Sequence, residues 1–323
     1  MGSRTVCILL NKKAGTATGT DADSMADVIA QPFHARGDDV TVRIFAPQVI
    51  AMEAQRIVKD PEFDVIVICG GDGTLSYFAD AFHKLPVTLA FLPLGTMNLF
   101  ARALNVPADP GEAAKQLAAG DCRAIDVGHV NGRAFLHHVS FGLHAKLVRQ
   151  RQRMKHASRL GKIIAGVRAF FLAIRRPPYL RLSIRIDNAD VASEQMTALV
   201  VSNNLFGDGH LPYPDDVNRG ELGLYLISGR KWGELIKLGA DVVMGRTKAN
   251  PHVKEDKARR LEITSRSRRK QHFMRAVIDG EIATLRFPLT IETMPSALRV
   301  IVPSPHKVDR STEAGLESSN AAA

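Results

Sequence analysis

The chain has 323 residues of ordinary globular composition, enough for two domains with cores of their own. Its three scattered cysteines form no CxxC pair, which excludes a disulfide framework, and no apolar stretch approaches the length of a membrane span. A formal net charge of +10 calls for an anionic partner (phosphate, nucleic acid or a membrane surface), and the position of that charge decides among them.

Residues 4–11 carry Val6-Cys7-Ile8-Leu9-Leu10 and predict a first strand ending at Asn11. A helix over 23–35, a strand over 39–45 and a helix over 49–59 follow. Residues 64–69 are a short β-branched run that predicts a buried parallel strand. It stops at Gly70-Gly71-Asp72-Gly73-Thr74, after which Leu75, Phe78, Ala79 and Phe82 recur at helical spacing. A second apolar run, 87–94, ends at Pro93-Leu94-Gly95-Thr96-Met97-Asn98, and a helix with Phe100, Ala103 and Leu104 on one face begins. This β-α-β-α-β order predicts a parallel sheet with crossover helices. Residues 110–119 predict a helix closed by Gly120.

From residue 122 the pattern becomes strand-rich, beginning with a hairpin over 122–135 turned at Asn131-Gly132. Further strands are predicted over 179–186, 195–203, 222–227, 258–264, 274–278, 289–292 and 298–302, and a helix over 232–244. Their alternating polarity suits a half-solvated antiparallel sheet. Residues 304–323 are polar and small, and disorder is expected there. Residues 1–10 have no signal-peptide architecture, so a reducing cytoplasm is the expected compartment.

Two glycine turns at the ends of successive strands have a physical use. Glycine lets backbone N–H groups approach a phosphate, and the following helix N-terminus favours an anion. In open α/β sheets ligands sit at those strand ends. Asp72 is suited to Mg²⁺, while Thr74, Thr96 and Asn98 offer neutral donors to phosphate oxygens. No GxxxxGK[ST] motif occurs, and no GxGxxG follows the first strand, which sets aside P-loop kinases and Rossmann oxidoreductases.

The pair GGDGT and PLGTMN resembles the signature of the diacylglycerol kinase catalytic domain, shared by soluble bacterial lipid kinases, sphingosine kinases and ceramide kinases. The resemblance spans roughly residues 4–303. It implies an α/β N-terminal domain with a parallel sheet, of the NAD kinase and diacylglycerol kinase kind, followed by a mainly antiparallel β-sandwich domain. The expected division is 1–125 with 296–303 for the nucleotide, 126–295 for the lipid, and 304–323 as a tail. ATP and Mg²⁺ are the implied cofactors. The implied nucleotide-binding set is Asn11, Gly70, Gly71, Asp72, Gly73, Thr74, Gly95, Thr96 and Asn98. Asn11 and Gly15 match the family's first loop, although Lys12 replaces its proline. Asp72 and Asp126 are the implied metal residues, the latter acting through water. Asp279-Gly280-Glu281 resembles the family's Asp-Gly-Glu, which makes Asp279 the implied general base and Glu281 the support for metal or hydroxyl.

The chain also departs from the family. Ser76-Tyr77 stands for Asn-Glu, Leu99 for an aspartate, and Asn218-Arg219-Gly220-Glu221 for Asp-Asp-Gly. These losses leave Asp72, Asp126 and Asp279 for one Mg²⁺ and a base, and put a second, structural metal in doubt. His144 stands where an acid is common, and the spacing of His137, His138 and His144 fits no standard zinc pattern.

The implied function is an ATP-dependent lipid kinase acting on a diacylglycerol-like or sphingoid hydroxyl. NAD kinase and a catalytically weak lipid-binding regulator are the alternatives. A nucleic-acid binder is set aside because the basic residues are not interleaved with stacking aromatics. Residues 127–186 contain no Asp or Glu, while Lys146, Arg149, Arg151, Arg153, Lys155, Arg159, Lys162, Arg168, Arg175, Arg176 and Arg181 accumulate. Leu160, Ile163, Ile164, Val167, Phe170, Phe171 and Ile174 fall on one helical stripe. Residues 146–181 are therefore expected to dock on an anionic membrane, placing the protein peripherally on its inner face. The identity of the lipid is left open, as is a homodimer.

Overall fold

The computed structural model describes residues 2–13, 21–59, 62–83, 85–153, 159–187, 189–266 and 272–304. Gly15, Lys155 and the tail from residue 305 lie outside the described residues, as do the side chains of residues 159–163.

Strands β1 (Thr5–Asn11), β2 (Asp39–Phe45), β3 (Val65–Gly70) and β4 (Thr88–Pro93) pair in parallel in the order β2-β1-β3-β4. Helices α1 (Ala22–Ala35), α2 (Ile50–Lys59) and α3 (Asp72–Phe82) connect them. Every residue of β3 and β4 is buried, as continuous apolar strands of a covered parallel sheet should be. Short α4 (Leu99–Ala103) follows β4. Helix α5 (Pro110–Ala118) starts where Asp109 accepts the Glu112 amide and Pro110 fixes the first turn. Strands β5 (Asp121–Val130) and β6 (Arg133–Phe135) form the predicted hairpin; Asn131 and Gly132 both take positive φ, 49° and 82°, as a two-residue turn with right-handed strand twist demands.

The later elements are β7 (His138–Gly142), α6 (Leu143–Gln152), α7 (Arg159–Ile174), β8 (Leu180–Ile186), β9 (Ala189–Met196), β10 (Ala198–Asn203) and β11 (Leu222–Ile227). They are followed by α8 (Trp232–Val243), β12 (Val253–Ala258), β13 (Arg260–Ser265), β14 (Phe273–Ile278), β15 (Glu281–Arg286) and β16 (Leu289–Val302). One sheet is antiparallel throughout, in the order β12-β11-β10-β7-β14-β15. Its inner face packs on β8, β13 and β16 through Phe141, Leu199, Leu224, Leu261 and Ile291. The molecule is thus a parallel α/β domain followed by an antiparallel β-sandwich.

Several boundaries differ from expectation for physical reasons. Residues 195–203, read as one strand, divide at Thr197, where β9 and β10 enter different sheets. The runs 289–292 and 298–302 are one strand, β16, with an irregularity between Met294 and Leu298 that hides its continuity. Its end pairs in parallel with β4, Val300 opposite Leu89. Strands β12 and β15 gave no signal because they are the charged, half-exposed edges of their sheet.

Candidate active site

The two glycine turns touch each other. The Leu94 amide donates to the Gly70 carbonyl at 2.8 Å. A Cβ on Gly95 would lie 2.7 Å from Gly71 Cα and 2.6 Å from Asn98 Oδ1, so only glycine fits at this backbone crossing. Asn98, in the left-handed conformation, locks its own loop: Oδ1 accepts the Gly95 amide and Nδ2 donates to the Gly95 carbonyl, both at 2.9 Å. Asn11 Nδ2 donates to Thr74 Oγ1 at 3.1 Å, and Asn11 Oδ1 accepts the Lys13 amide. The side chain of Asn11 therefore orders the neighbouring loop. Thr96 is exposed at the tip of the second turn. Gly73 leaves room for Glu281, whose Oε1 would stand 3.2 Å from a Cβ there.

Asp72 is the first residue of α3. Its carboxylate has a long bond of 3.4 Å from the Phe100 amide, with the Asn98 backbone beside it. Burial pushes its carboxyl above the ordinary range, against the lowering influence of those amides and of His137.

Opposite lies Asp279, in the left-handed conformation with φ 45° at the turn between β14 and β15. Its Oδ2 accepts the Leu136 amide and the Ser76 hydroxyl, each at 2.7 Å. Its Oδ1 accepts the amides of His137 and His138, each at 2.9 Å. Ser76, a departure from the family pattern, is thus a strut joining α3 to the second domain.

Asp72 and Asp279 face a cleft of about 390 Å³, whose walls also include Phe100, His137, His138 and His144. Burial pushes all three histidines below the ordinary imidazole range, His144 to about 4. For His137 the charges of Asp279 and Asp72 oppose that push. His144 Nδ1 and Ser140 Oγ are hydrogen-bonded at 2.6 Å, and Nδ1 of His137 bonds to Nδ1 of His138. The proximity of His137 and His138 to Asp72 was not legible in the sequence; the departure from the family at His144 was the available signal.

Asp126 is elsewhere. It is fully buried, and its oxygens accept the Gly220 amide at 2.6 Å and the Ser296 amide at 3.0 Å. Both oxygens pin loop backbone, and Asp126 is not among the residues that line the cleft with Asp72. Among the described residues no three His, Cys, Asp or Glu side chains converge as a metal site.

The basic segment is two helices rather than one. Lys146, expected to face a membrane, instead donates Nζ to the carbonyls of Ala173 and Arg176, at 3.1 and 2.6 Å, and closes the end of α7. The stripe on α7 divides: Ile174 is buried, whereas Ile164, Val167 and Phe171 are exposed. Phe171 meets Trp232 of α8, ring centroids 6.2 Å apart, and Trp232 is 50% exposed. No helix among the described residues is long and apolar enough to cross a membrane.

Comparison with known proteins agrees with this architecture. Residues 5–130 match the diacylglycerol kinase catalytic domain, and residues 137–302 match the YegS C-terminal NAD kinase beta sandwich-like domain. The diacylglycerol kinase of Bacillus subtilis (strain 168) is 29% identical over 227 residues, covering 68% of this chain and 72% of that one. The crystal structure of a diacylglycerol kinase from Bacillus anthracis str. Sterne has the same fold, with a TM-score of 0.69 at 20% identity over 94% of this chain and 98% of that one.

Proposed function

Because the chain belongs to the diacylglycerol kinase catalytic-domain family, we propose that it transfers the γ-phosphate of ATP, with Mg²⁺, to the hydroxyl of a diacylglycerol-like or sphingoid lipid. The observation that carries this reading is Asp72: a half-buried carboxylate, bonded at long range by the Phe100 amide with the Asn98 backbone beside it, at the meeting of two glycine turns and a helix N-terminus. Gly70, Gly71, Gly73 and Gly95 keep the backbone bare for phosphate oxygens, and the start of α3 favours their charge. Thr74 and Thr96 supply hydroxyl donors, while Asn11 and Asn98 hold the two loops in shape. Asp72 has the free acceptor positions to hold Mg²⁺, which when bound neutralises charge on the phosphates. Glu281, beside Gly73, faces the same loop and supports metal or hydroxyl. Leu99, Phe100, Leu147 and Val148 give the cleft apolar walls for the part of the lipid next to its hydroxyl.

The lipid would be met at a bilayer surface. Ile164, Val167 and Phe171 of α7 and Trp232 of α8 form an exposed apolar ridge, with Arg168 exposed on α7 and Arg175 exposed just past its end. Helix α6, which carries cleft residues Leu147 and Val148, packs against α7. Each basic residue near an anionic surface contributes about 1 kcal/mol. Combining Trp232→Ala with Arg168→Gln and Arg175→Gln should weaken binding to phosphatidylserine vesicles and leave turnover of a short-chain soluble substrate unchanged. Unchanged vesicle binding would remove the docking role.

The test of the activity is radiolabelled ATP with total lipid extract, in parallel with NAD. A labelled phospholipid is expected. Label on NAD instead would favour an NAD kinase, and lipid binding without label a regulatory protein.

A further inference from the structure

Helix α3 begins at the first glycine turn and runs along the joint between the two domains. Residues four apart on a helix lie on one face, and Asp72, Ser76 and Asp80 form such a row. At 1.5 Å per residue the row spans about 12 Å. Its first two members, Asp72 and Ser76, line the cleft. Tyr77, one position on, is exposed, so the solvent face of α3 is a different one.

The two later members of the row are bonded across the joint. Ser76 is buried, and its Oγ donates to Asp279 Oδ2 at 2.7 Å. Asp80 Oδ1 accepts the Ala134 amide of β6 at 2.6 Å. Just past the end of α3, His83 meets His129 of β5 edge-on, with ring centroids 4.8 Å apart. Asp279 in turn holds the amides of Leu136, His137 and His138. The stretch 134–138 is therefore tied to α3 twice, directly by Asp80 and, through Asp279, by Ser76. Leu136, His137, His138 and Asp279 line the same cleft as Asp72.

Phosphoryl transfer asks the protein mainly to hold the acceptor hydroxyl and the γ-phosphoryl group in line. A misplacement of about 1 Å costs roughly 10²-fold in rate. On the lipid-kinase reading the phosphates lie at the first turn of α3, and the lipid hydroxyl lies between them and the wall made by 134–138 and Asp279. The spacing across the cleft then depends on how that wall is fixed to α3. We infer that Ser76 and Asp80 are positioning residues, which hold this wall at its working distance from Asp72; the inference rests on the lipid-kinase reading. Both act through the groups they hold. Ser76 contributes a hydroxyl donor and Asp80 an acceptor oxygen, and the negative charge of Asp80 has no part in the role.

The test compares Ser76→Ala, Asp80→Ala and Asp80→Asn with wild type, using labelled ATP and lipid extract. Calorimetric binding of ATP counts the folded sites, and kcat is expressed per site. Ser76→Ala removes one hydroxyl and leaves Asp279 its three backbone amides. Ser76→Ala and Asp80→Ala should each lower kcat roughly tenfold with KM for ATP held within about twofold. Asp80→Asn keeps an oxygen for the Ala134 amide and should recover most of that loss. A kcat within about threefold of wild type in either alanine variant overturns the positioning role and leaves the lipid-kinase reading standing. Asp80→Asn as slow as Asp80→Ala also overturns it, because the charge and not the tie would then matter. Wild type that labels no lipid overturns both. Amide hydrogen exchange over residues 134–138 tests the ties without turnover. Faster exchange is expected there in both alanine variants, and unchanged exchange overturns the inference.

Discussion

The wall of the cleft built by residues 70–100 and the wall built by residues 135–152 hold their polar groups in opposite ways. On the first, Asp72 is half-buried and only weakly bonded, by the Phe100 amide at 3.4 Å with the Asn98 backbone beside it, and the neutral side chains around it are tied to their own loops. On the second, Asp279 at the neighbouring β14–β15 turn is saturated, its two oxygens accepting three backbone amides and the Ser76 hydroxyl. A buried polar group without a partner costs free energy. It persists where a ligand supplies the missing bond, so the under-bonded groups mark the chemistry better than residue type does. On the proposed reading, two aspartates in one cleft differ in what they are free to do: Asp72 has acceptor positions for a ligand, and those of Asp279 are filled by the protein.

The sharpest break of this comparison is Asp72→Asn. It should lower phosphoryl transfer by at least about 10²-fold, because it removes the charge proposed to hold Mg²⁺ against the phosphates, while the thermal midpoint hardly changes. Turnover within about threefold of wild type would show that Asp72 is not the ligand-facing acid. Asp279→Asn should do the reverse in emphasis. The amide nitrogen of asparagine cannot accept, so at least one backbone donor is left facing a donor, and stability should fall by about 2–4 kcal/mol in urea unfolding together with activity. Lost transfer at unchanged stability would instead mark Asp279 as the base.

Gly95→Ala tests whether the two turns must touch. The added Cβ has 2.7 Å to Gly71 Cα, so the loops must separate. Overpacking of about 1–3 kcal/mol, read in the ATP affinity, is a loss of roughly 5- to 150-fold. An unchanged KM for ATP would detach the second turn from the nucleotide.

The smallest effect is a control far from the cleft. Asp38 is another saturated carboxylate, bonded to Arg4 at 2.7 Å and to Arg36. Burial pushes its pKa up, but the Arg4 hydrogen bonds and the two guanidinium charges outweigh this and hold it below the ordinary value. A depressed folded-state pKa gives stability that is present above the unfolded value of about 3.9 and is lost as pH falls through the folded value. Asp38→Asn should therefore cost about 2 kcal/mol near pH 7, a difference that closes below about pH 4, with kcat unchanged. A difference that persists at low pH would mean the carboxylate acts by packing and not by charge.

Sequence alone determined the parallel domain. Continuous β-branched runs, glycine turns and helical spacing are local signals, and β1, β3 and β4 lie where those runs lie. It also singled out Asp72, because GGDGT and PLGTMN are contiguous motifs whose backbone chemistry can be read without partners. Only the tertiary structure decided which groups Asp126, Asp279 and Lys146 are bonded to. Each has its hydrogen bonds with segments distant in the chain: Asp126 with Gly220 and Ser296, Asp279 with Ser76 and residues 136–138, Lys146 with the end of α7. The same holds for the edge strands β12 and β15 and for the pairing of β16 with β4, which depend on neighbours rather than on local pattern. A side chain's charge is written in the sequence, but whether its lone pairs are free for a substrate depends on which donors the fold brings to it.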